Sequence, residues 1–167
     1  VVARAALHFG EEPCISGSRG SGTIFFSGCS LRCVFCQNYR ISTENFGQEV
    51  SVFRLREIYD ELIAQGAHNI NLVNPTHFVR AIAQSLKELL PVPVIYNCGG
   101  YESVDSLRML EGKVQIYLPD FKYVDNQLAI RYSGTADYFE QAGAAIREMV
   151  RQTGPYRLDQ DGMLCSG

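Results

Sequence analysis

The sequence has no apolar run that approaches the length of a membrane-spanning helix, and it has no cluster of basic residues. Its first seven residues are interrupted by Arg4 and are too few to form a signal peptide or a membrane anchor. The net charge is −3, so nothing indicates a nucleic-acid-binding surface. We therefore expect a cytoplasmic protein that has neither a membrane nor a nucleic acid as its partner.

Cysteine is too sparse for a disulfide-stabilised scaffold, because only six cysteines are spread over a chain of 167 residues. Hydrophobic residues make up 46% of the chain and charged residues 20%, which is the balance of an ordinary globular protein. A chain of this length can bury a substantial core within one domain. We expect a single domain whose cysteines are reduced.

Three of the six cysteines, Cys29, Cys33 and Cys36, lie within one short stretch of sequence. Iron–sulfur clusters of the common types are held by four thiolates. Three thiolates at these offsets can hold three irons of a four-iron cubane and leave the fourth iron without a protein ligand. Catalytic zinc sites keep a coordination position open by the same logic. The cysteine loop therefore suggests a metal site with an open coordination position.

Zinc binding is the alternative use of these cysteines. A closed structural zinc site needs a fourth protein ligand. None of the remaining candidates completes a paired-cysteine zinc pattern with the three loop cysteines. Those candidates are His8, Cys14, His68, His77 and Cys98.

Short β-type segments alternate with amphipathic helical segments in four strand–helix units. Consecutive units of this kind predict a parallel sheet with right-handed crossovers. A closed eight-stranded barrel needs about 250 residues. We therefore expect an α/β fold that forms part of a parallel (β/α) barrel. The predicted strands are 23–26, 69–73, 92–96 and 114–118, and the predicted helices are 51–65, 76–90, 103–110 and 135–153.

Polar residues follow the ends of these predicted strands, as the cysteine loop does. Asn74 and Thr76 follow the second predicted strand, and Asn97 follows the third. Asp120 and Lys122 follow the fourth. The carboxyl ends of barrel strands form the face on which active sites are built. We expect these residues to converge on the cysteine loop.

Several segments resemble the pyruvate formate-lyase-activating-enzyme branch of the radical S-adenosylmethionine (radical SAM) superfamily. The resemblance covers roughly residues 12–160 and includes the spacing of the three cysteines. It implies a single radical SAM core domain over residues 1–167, the N-terminal part of the barrel, with a lead-in segment at 1–20 and a tail at 156–167. The segments that carry the resemblance are 20–29, 33–38, 66–77 and 117–123.

The resemblance implies two cofactors, a [4Fe-4S] cluster and S-adenosylmethionine (SAM). Cys29, Cys33 and Cys36 match the three cluster ligands of the family. Phe35, just before the last of these cysteines, matches the aromatic residue that lies near the adenine and shields the cluster. SAM would bind at the open iron.

The resemblance also implies contacts with SAM from the later strands. Asp120 and Lys122 match an Asp-x-Lys pattern at the end of the fourth strand. An ammonium at a strand end can pair with the methionine carboxylate of SAM. Asn97 lies where the third strand of such enzymes presents a polar residue to SAM.

The sequence departs from the family pattern in two places. Members usually carry a glycine pair after the second strand, where this chain has Asn74 and Thr76 as substitute oxygen donors. The pair Gly99–Gly100 follows the third predicted strand and is not that motif. The family barrel also continues beyond the point at which this chain ends. We expect a chain shortened at its C-terminus that leaves an apolar edge of the sheet uncovered.

The resemblance implies a radical SAM oxidoreductase that cleaves SAM reductively to a 5'-deoxyadenosyl radical. A flavodoxin or ferredoxin would donate the electron. The radical would abstract hydrogen from a glycine of a partner glycyl radical enzyme, and no protein side chain would act as a nucleophile or a base. Two alternatives stay open: a radical SAM enzyme that acts on another substrate, and a non-catalytic iron–sulfur or zinc-binding module.

Overall fold

The structure is a computed structural model that describes residues 1–167. In chain order its elements are β1 (Val2–His8), α1 (Pro13–Ser16), β2 (Ser21–Phe26), α2 (Tyr39–Thr43), α3 (Val52–Ala64), β3 (Ile70–Val73), a 3₁₀ turn (Thr76–Phe78), α4 (Val79–Ser85), β4 (Val94–Cys98), α5 (Val104–Arg108), β5 (Ile116–Pro119), α6 (Asn126–Ser133), α7 (Tyr138–Thr153), β6 (Arg157–Leu158) and β7 (Leu164–Ser166).

Five strands form one sheet in the order β1-β2-β3-β4-β5, so that each strand lies beside its predecessor in the chain. Strands β2 to β5 are parallel to one another. Strand β1 runs antiparallel to β2 at one edge. The predicted α/β class is confirmed, and the four predicted strands form the parallel part of the sheet.

The main core lies between one face of the sheet and the helices. Alternate residues of a strand point to the same face, so side chains of neighbouring strands form rows. One buried row runs through Ile24, Leu72 and Tyr96 on β2, β3 and β4. Helices α3 and α4 pack Leu55 and Ile82 into the same core. Removing this apolar surface from water is the dominant stabilising contribution to the fold.

The opposite face of the sheet is more polar. Thr23 and Asn71 lie in one row with Ile95, and all three side chains are buried. Ile15 of α1 packs against Ile95 on this face. Asn97 belongs to the next row toward the carboxyl ends of the strands, and it is half-buried.

Helix α3 follows directly from its local sequence. The Ser51 hydroxyl accepts a hydrogen bond from the Arg54 N–H at 3.0 Å, which caps the first turn of the helix. Leu55, Ile58 and Leu62 form its buried stripe. The predicted helix start and its buried face are therefore confirmed.

Several elements were not predicted from the sequence, among them β1 and α6. β1 lies in the segment 1–20, which was expected to be only a lead-in. Its alanine-rich sequence has a single β-branched residue, Val2, and so carries little of the composition typical of strands. α6 was also missed. It begins where the Asp125 side chain accepts the Gln127 N–H at 2.7 Å, and it ends at Gly134 in the left-handed conformation.

Most predicted elements differ from the structure by one or two residues at their ends, and three of the differences have a local explanation or a larger size. The helix predicted over 76–90 is a 3₁₀ turn followed by α4, which ends at Ser85. The last predicted helix begins at Tyr138 rather than Thr135. The third predicted strand begins at Val94, after Pro93, because proline has no N–H to donate to the ladder. Asn97 consequently lies within β4.

The tail at 156–167 forms a hairpin of β6 and β7 that reaches the outer edge of β5. The Gly167 N–H donates to the Gln115 carbonyl at 3.1 Å, and the Tyr117 N–H donates to the Gly167 carbonyl at 2.9 Å. Leu164 packs beside Ile116. The edge that was expected to be uncovered is therefore partly paired. None of the helices has the length and apolar character needed to cross a membrane.

Candidate functional site

The loops that follow the four parallel strands form the candidate site. A cavity of about 400 Å³ opens between the cysteine loop after β2, the glycine turn after β4 and the loop after β5. Of the polar residues expected to converge on the cysteine loop, the structure brings Asp120 and Lys122 into this cavity. The predicted site residues that line the cavity are Cys29, Cys33, Phe35, Cys36, Asp120 and Lys122.

Each of the three thiols has a polar neighbour. The Cys29 thiol donates to the Asn74 Oδ1 at 3.7 Å. The Cys36 sulfur lies 3.5 Å from the Ser42 hydroxyl. The Cys33 sulfur accepts a hydrogen bond from the Ser133 hydroxyl at 2.9 Å, which is the shortest of the three contacts.

The three thiols of the cysteine loop are available as ligands. All three are free of disulfides. Burial raises the pKa of Cys29, hydrogen bonds with the Leu31 backbone and Asn74 oppose that rise, and the nearby Cys33 and Cys36 add smaller increases. No three His, Cys, Asp or Glu side chains are gathered closely enough to share one metal ion. In a cubane each thiolate binds a different iron, so the three thiols need not share one ion. The donor set fits a cluster with one open iron.

Helix α6, which lies much later in the chain, holds the cysteine loop in place through backbone hydrogen bonds. The Arg32 N–H donates to the Ser133 carbonyl at 3.1 Å, and the Val34 N–H donates to the Tyr132 carbonyl at 2.9 Å. These are carbonyls at the end of a helix, which have no partner within the helix itself. Leu31 adds a buried apolar anchor beside Tyr138. The loop backbone is therefore held in place on both sides of Cys33.

Lys122 brings a positive charge to the cavity. Its Nζ donates to the Asp120 Oδ2 at 2.5 Å, and 23% of its side chain is exposed. Burial alone would lower the pKa of Lys122, but the hydrogen bond and charge of Asp120, with a smaller contribution from Cys33, raise it. Lys122 is consequently a charged donor beside the thiols.

The buried Tyr138 side chain joins the ends of β4 and β5. Its hydroxyl accepts from the Lys122 N–H at 2.8 Å. It lies 2.8 Å from the Gly99 carbonyl and 3.0 Å from the Asp120 carbonyl, to which it donates. This hydroxyl fixes the backbone that carries Lys122. From the sequence alone Tyr138 is placed only in a helix, because nothing in its local pattern distinguishes it from a core tyrosine.

The Gly99–Gly100 turn has no side chains, which leaves room for the residues that pack against it at the cavity. A Cβ at position 99 would lie 2.9 Å from the Leu31 Cδ1 and 3.6 Å from the Lys122 Cε. Gly100 has φ +78°, and a Cβ there would overlap the Asp120 carbonyl oxygen. The pair therefore allows β4 and β5 to approach closely at the point where the cavity opens.

The other three predicted site residues do not line this cavity. The Asn74 side chain accepts from the Cys29 thiol at the edge of the cavity. The Asn74 N–H donates to the Asn97 carbonyl at 2.9 Å. Asn97 lies on the polar face of the sheet. The Thr76 hydroxyl donates to the Glu102 Oε1 at 2.6 Å. The structure thus brings Asn74 to the thiols and leaves the Thr76 hydroxyl engaged elsewhere.

Glu102 is a buried carboxyl group that the sequence analysis did not single out. It is only 1% exposed and accepts hydrogen bonds from Thr76 and, at 2.8 Å, from the Tyr96 hydroxyl. Burial raises the pKa of Glu102, and the hydrogen bonds from Thr76, Tyr96 and Cys98 oppose that rise. Its place just after a glycine turn gave no motif to recognise. Glu102 connects the loops that follow β3 and β4.

Phe35 lies in the cysteine loop as predicted, and its side chain is 56% exposed. Its ring centroid is 6.5 Å from that of Tyr123, at a tilt of 58°. The ring lines the cavity and leaves one side open to solvent. This position suits an aromatic residue that covers a bound planar group.

Comparison with known proteins identifies an uncharacterized relative. The chain is 34% identical over 143 residues to an uncharacterized protein of Methanocaldococcus jannaschii. The alignment covers 80% of this chain and 41% of that protein, so the chain spans about two fifths of the length of the curated relative it matches. No protein-family model matches the sequence. These comparisons assign no activity.

Proposed function

We propose that this protein is a radical SAM enzyme of the pyruvate formate-lyase-activating-enzyme type. The observation that carries the proposal is the shared cavity. Three free thiols at the radical SAM spacing line the same cavity as Lys122, which comes from a distant part of the chain. A purely structural metal site is closed by its ligands, so it does not require an open cavity with a charged hydrogen-bond donor beside the thiols.

Cys29, Cys33 and Cys36 are the residues that would hold the cluster. When bound there, a [4Fe-4S] cluster supplies the electron that cleaves SAM into methionine and a 5'-deoxyadenosyl radical. The protein's own contribution is to fix the thiols, orient the substrate and limit access of water. The anchoring of the cysteine loop to α6 serves the first of these tasks.

The polar residues of the cavity would orient SAM. The Lys122 ammonium can donate to the methionine carboxylate, a charge-assisted hydrogen bond. Asp120 is well exposed and accepts from Lys122 through one oxygen, so its other oxygen is free to accept from the methionine amine. Phe35 can cover the adenine. Tyr138 holds the Lys122 backbone in position.

The fold supports a partial radical SAM barrel. In a barrel of this kind, successive parallel strands lie side by side in chain order, and that is the order of β2 to β5. The proposed partners are a flavodoxin or ferredoxin as the electron donor and a glycyl radical enzyme as the target. A reducing compartment such as the cytoplasm would preserve the free thiols.

The Cys33→Ala variant tests the proposal directly. After anaerobic reconstitution, we expect the variant to lose bound iron and to form no 5'-deoxyadenosine from SAM and dithionite. Cys14→Ala is the matched control, because Cys14 packs beside Ile15 away from the cavity. That control should keep both iron and product formation.

Two results would contradict the proposal. Normal iron content in Cys33→Ala would remove the cysteine loop as the cluster site. A wild-type protein that binds iron but forms no 5'-deoxyadenosine would instead support a non-catalytic iron–sulfur module.

A further inference from the structure

A buried pair of hydroxyls stands behind Cys33. The Ser133 hydroxyl donates to the Cys33 sulfur at 2.9 Å, and Ser133 is only 1% exposed. The Tyr123 hydroxyl lies 2.7 Å from the same Ser133 oxygen, and Tyr123 is 7% exposed. The three groups form a continuous chain from Tyr123 through Ser133 to the sulfur.

The direction of this chain follows from counting hydrogens. A serine hydroxyl has one hydrogen to donate and two lone pairs with which to accept. When Tyr123 donates to Ser133, the one hydrogen of Ser133 is free to point at the Cys33 sulfur. A thiolate offers only acceptor positions, so the same orientation persists once Cys33 is deprotonated. Tyr123 thereby fixes Ser133 as a donor.

The geometry is held by the backbone as well as by the side chains. Ser133 is the last residue of α6, and its carbonyl accepts the Arg32 N–H next to Cys33. The donor and the sulfur are therefore fixed at a short distance before any cluster binds. Preorganised donors of this kind need no rearrangement when charge develops.

The other two thiols have no equivalent donor. Ser42 lies 3.5 Å from the Cys36 sulfur and also contacts the Tyr39 carbonyl and the Thr43 hydroxyl. Cys29 is itself the donor in its contact with Asn74. A buried hydroxyl dedicated to one sulfur is found only at Cys33.

Resting on the proposed function, we propose that Ser133, oriented by Tyr123, raises the reduction potential of the cluster through its hydrogen bond to Cys33. Reduction adds negative charge to the cluster and its sulfur ligands, so a donor to sulfur stabilises the reduced form more than the oxidised form. Hydrogen bonds to the sulfurs are among the features that set cluster potentials. Ser133 is a positioning residue in this role and touches no substrate.

The test is a redox titration of reconstituted wild-type and variant proteins, followed by electron paramagnetic resonance. In Ser133→Ala we expect the ratio of reduced to oxidised cluster at a fixed potential to fall by on the order of tenfold. That corresponds to a midpoint about 59 mV lower for a one-electron couple. Tyr123→Phe should shift it in the same direction by a smaller amount.

Tyr132→Phe is the matched control, because it removes a neighbouring hydroxyl that makes no hydrogen bond to a cysteine sulfur; its midpoint should equal that of wild type. An unchanged midpoint in Ser133→Ala with a full cluster overturns the inference and leaves the proposed function standing. If Ser133→Ala fails to fold, Tyr123→Phe decides, and an unchanged midpoint there overturns the inference. Wild-type protein that assembles no cluster overturns the proposed function and this inference together.

Discussion

Lys122 is the cationic side chain of the cavity, and its surroundings keep it charged. Asp120 holds its ammonium at one side, and the Tyr138 hydroxyl holds its backbone at the other. Both contacts come from within the protein and exist before any ligand binds. A carboxylate that enters the cavity would therefore meet a donor that is already oriented, at a small cost in side-chain entropy.

Lys122→Met should weaken SAM binding while preserving the cluster. A hydrogen bond to a charged group contributes about 1.5 to 3 kcal/mol, so we expect the Kd to rise roughly ten- to a hundredfold. Anaerobic calorimetry on the reconstituted protein measures this change. Lys113→Met is the control, because Lys113 donates to the Leu86 carbonyl away from the cavity. Equal SAM affinity in the two variants would exclude Lys122 from the SAM site.

Glu102 should make the stability of the fold depend on pH. Because burial raises its pKa in the folded state, its contribution to stability is complete below the ordinary glutamate pKa. That contribution is lost as the pH rises through the higher folded pKa. Glu102→Gln removes the titration while preserving the shape of the side chain.

We expect Glu102→Gln to gain stability relative to wild type as the pH is raised from about 5 to about 8. Urea unfolding at the two pH values measures the difference in the free energy of unfolding. Glu88→Gln, which removes one carboxylate at an exposed position, is the control for the change in net charge. A constant difference between Glu102→Gln and wild type would mean that the pKa of Glu102 is not raised.

At this scale the sequence predicted the residues that have a motif and missed those that do not. The three cysteines, Phe35 and Lys122 line one cavity as expected. Ser133 and Glu102 were missed because their hydrogen-bond partners lie on other elements, and no local spacing in the sequence indicates these hydrogen bonds. Ser133 meets Cys33 across 100 positions of sequence. Such contacts are determined by how the elements pack.

Among the elements, the turn between β4 and α5 is under the tightest constraint. Gly100 has φ +78° and meets the Asp120 carbonyl oxygen at the end of β5. Gly112 has a similar φ of +74° but has nothing within 4 Å of the position that a Cβ would take. The two glycines share a left-handed backbone conformation and differ in their surroundings. This makes them a matched pair.

Gly112→Ala should cost about 1 kcal/mol of unfolding free energy, the penalty for a side chain at positive φ. Gly100→Ala should cost at least about 3 kcal/mol, because β4 and β5 must also move apart. Denaturant unfolding of both variants gives the comparison. Similar losses in the two variants would show that the Gly100 turn has room for a side chain.

The parallel strands and α3 were predictable because their signals are local. β2 carries β-branched and aromatic residues between glycines, and α3 has a serine cap and an apolar stripe. In β1 these signals are reduced to one β-branched residue, Val2, and in α6 to the Asp125 cap and Gly134 at its end. β1 becomes a strand by pairing with β2, and α6 has only a short apolar face that packs beside α7. For both, tertiary contacts outweigh local preference.

At the scale of the whole molecule, the candidate site lies at the carboxyl end of the parallel sheet. Loops after β2, β4 and β5 line the cavity, and the loop after β3 borders it through Asn74. Later in the chain, α6 contacts the cysteine loop through Ser133, and α7 contacts the loop after β5 through Tyr138. The fold therefore connects sequence-distant residues that a cluster and its ligand would both require.

The measurement that tests the central proposal most directly is low-temperature electron paramagnetic resonance of the anaerobically reconstituted, dithionite-reduced protein, with and without SAM. The proposal predicts the signal of a reduced [4Fe-4S] cluster that changes when SAM is added, because SAM would bind the open iron. A cluster signal indifferent to SAM, or no cluster signal at all, would contradict it.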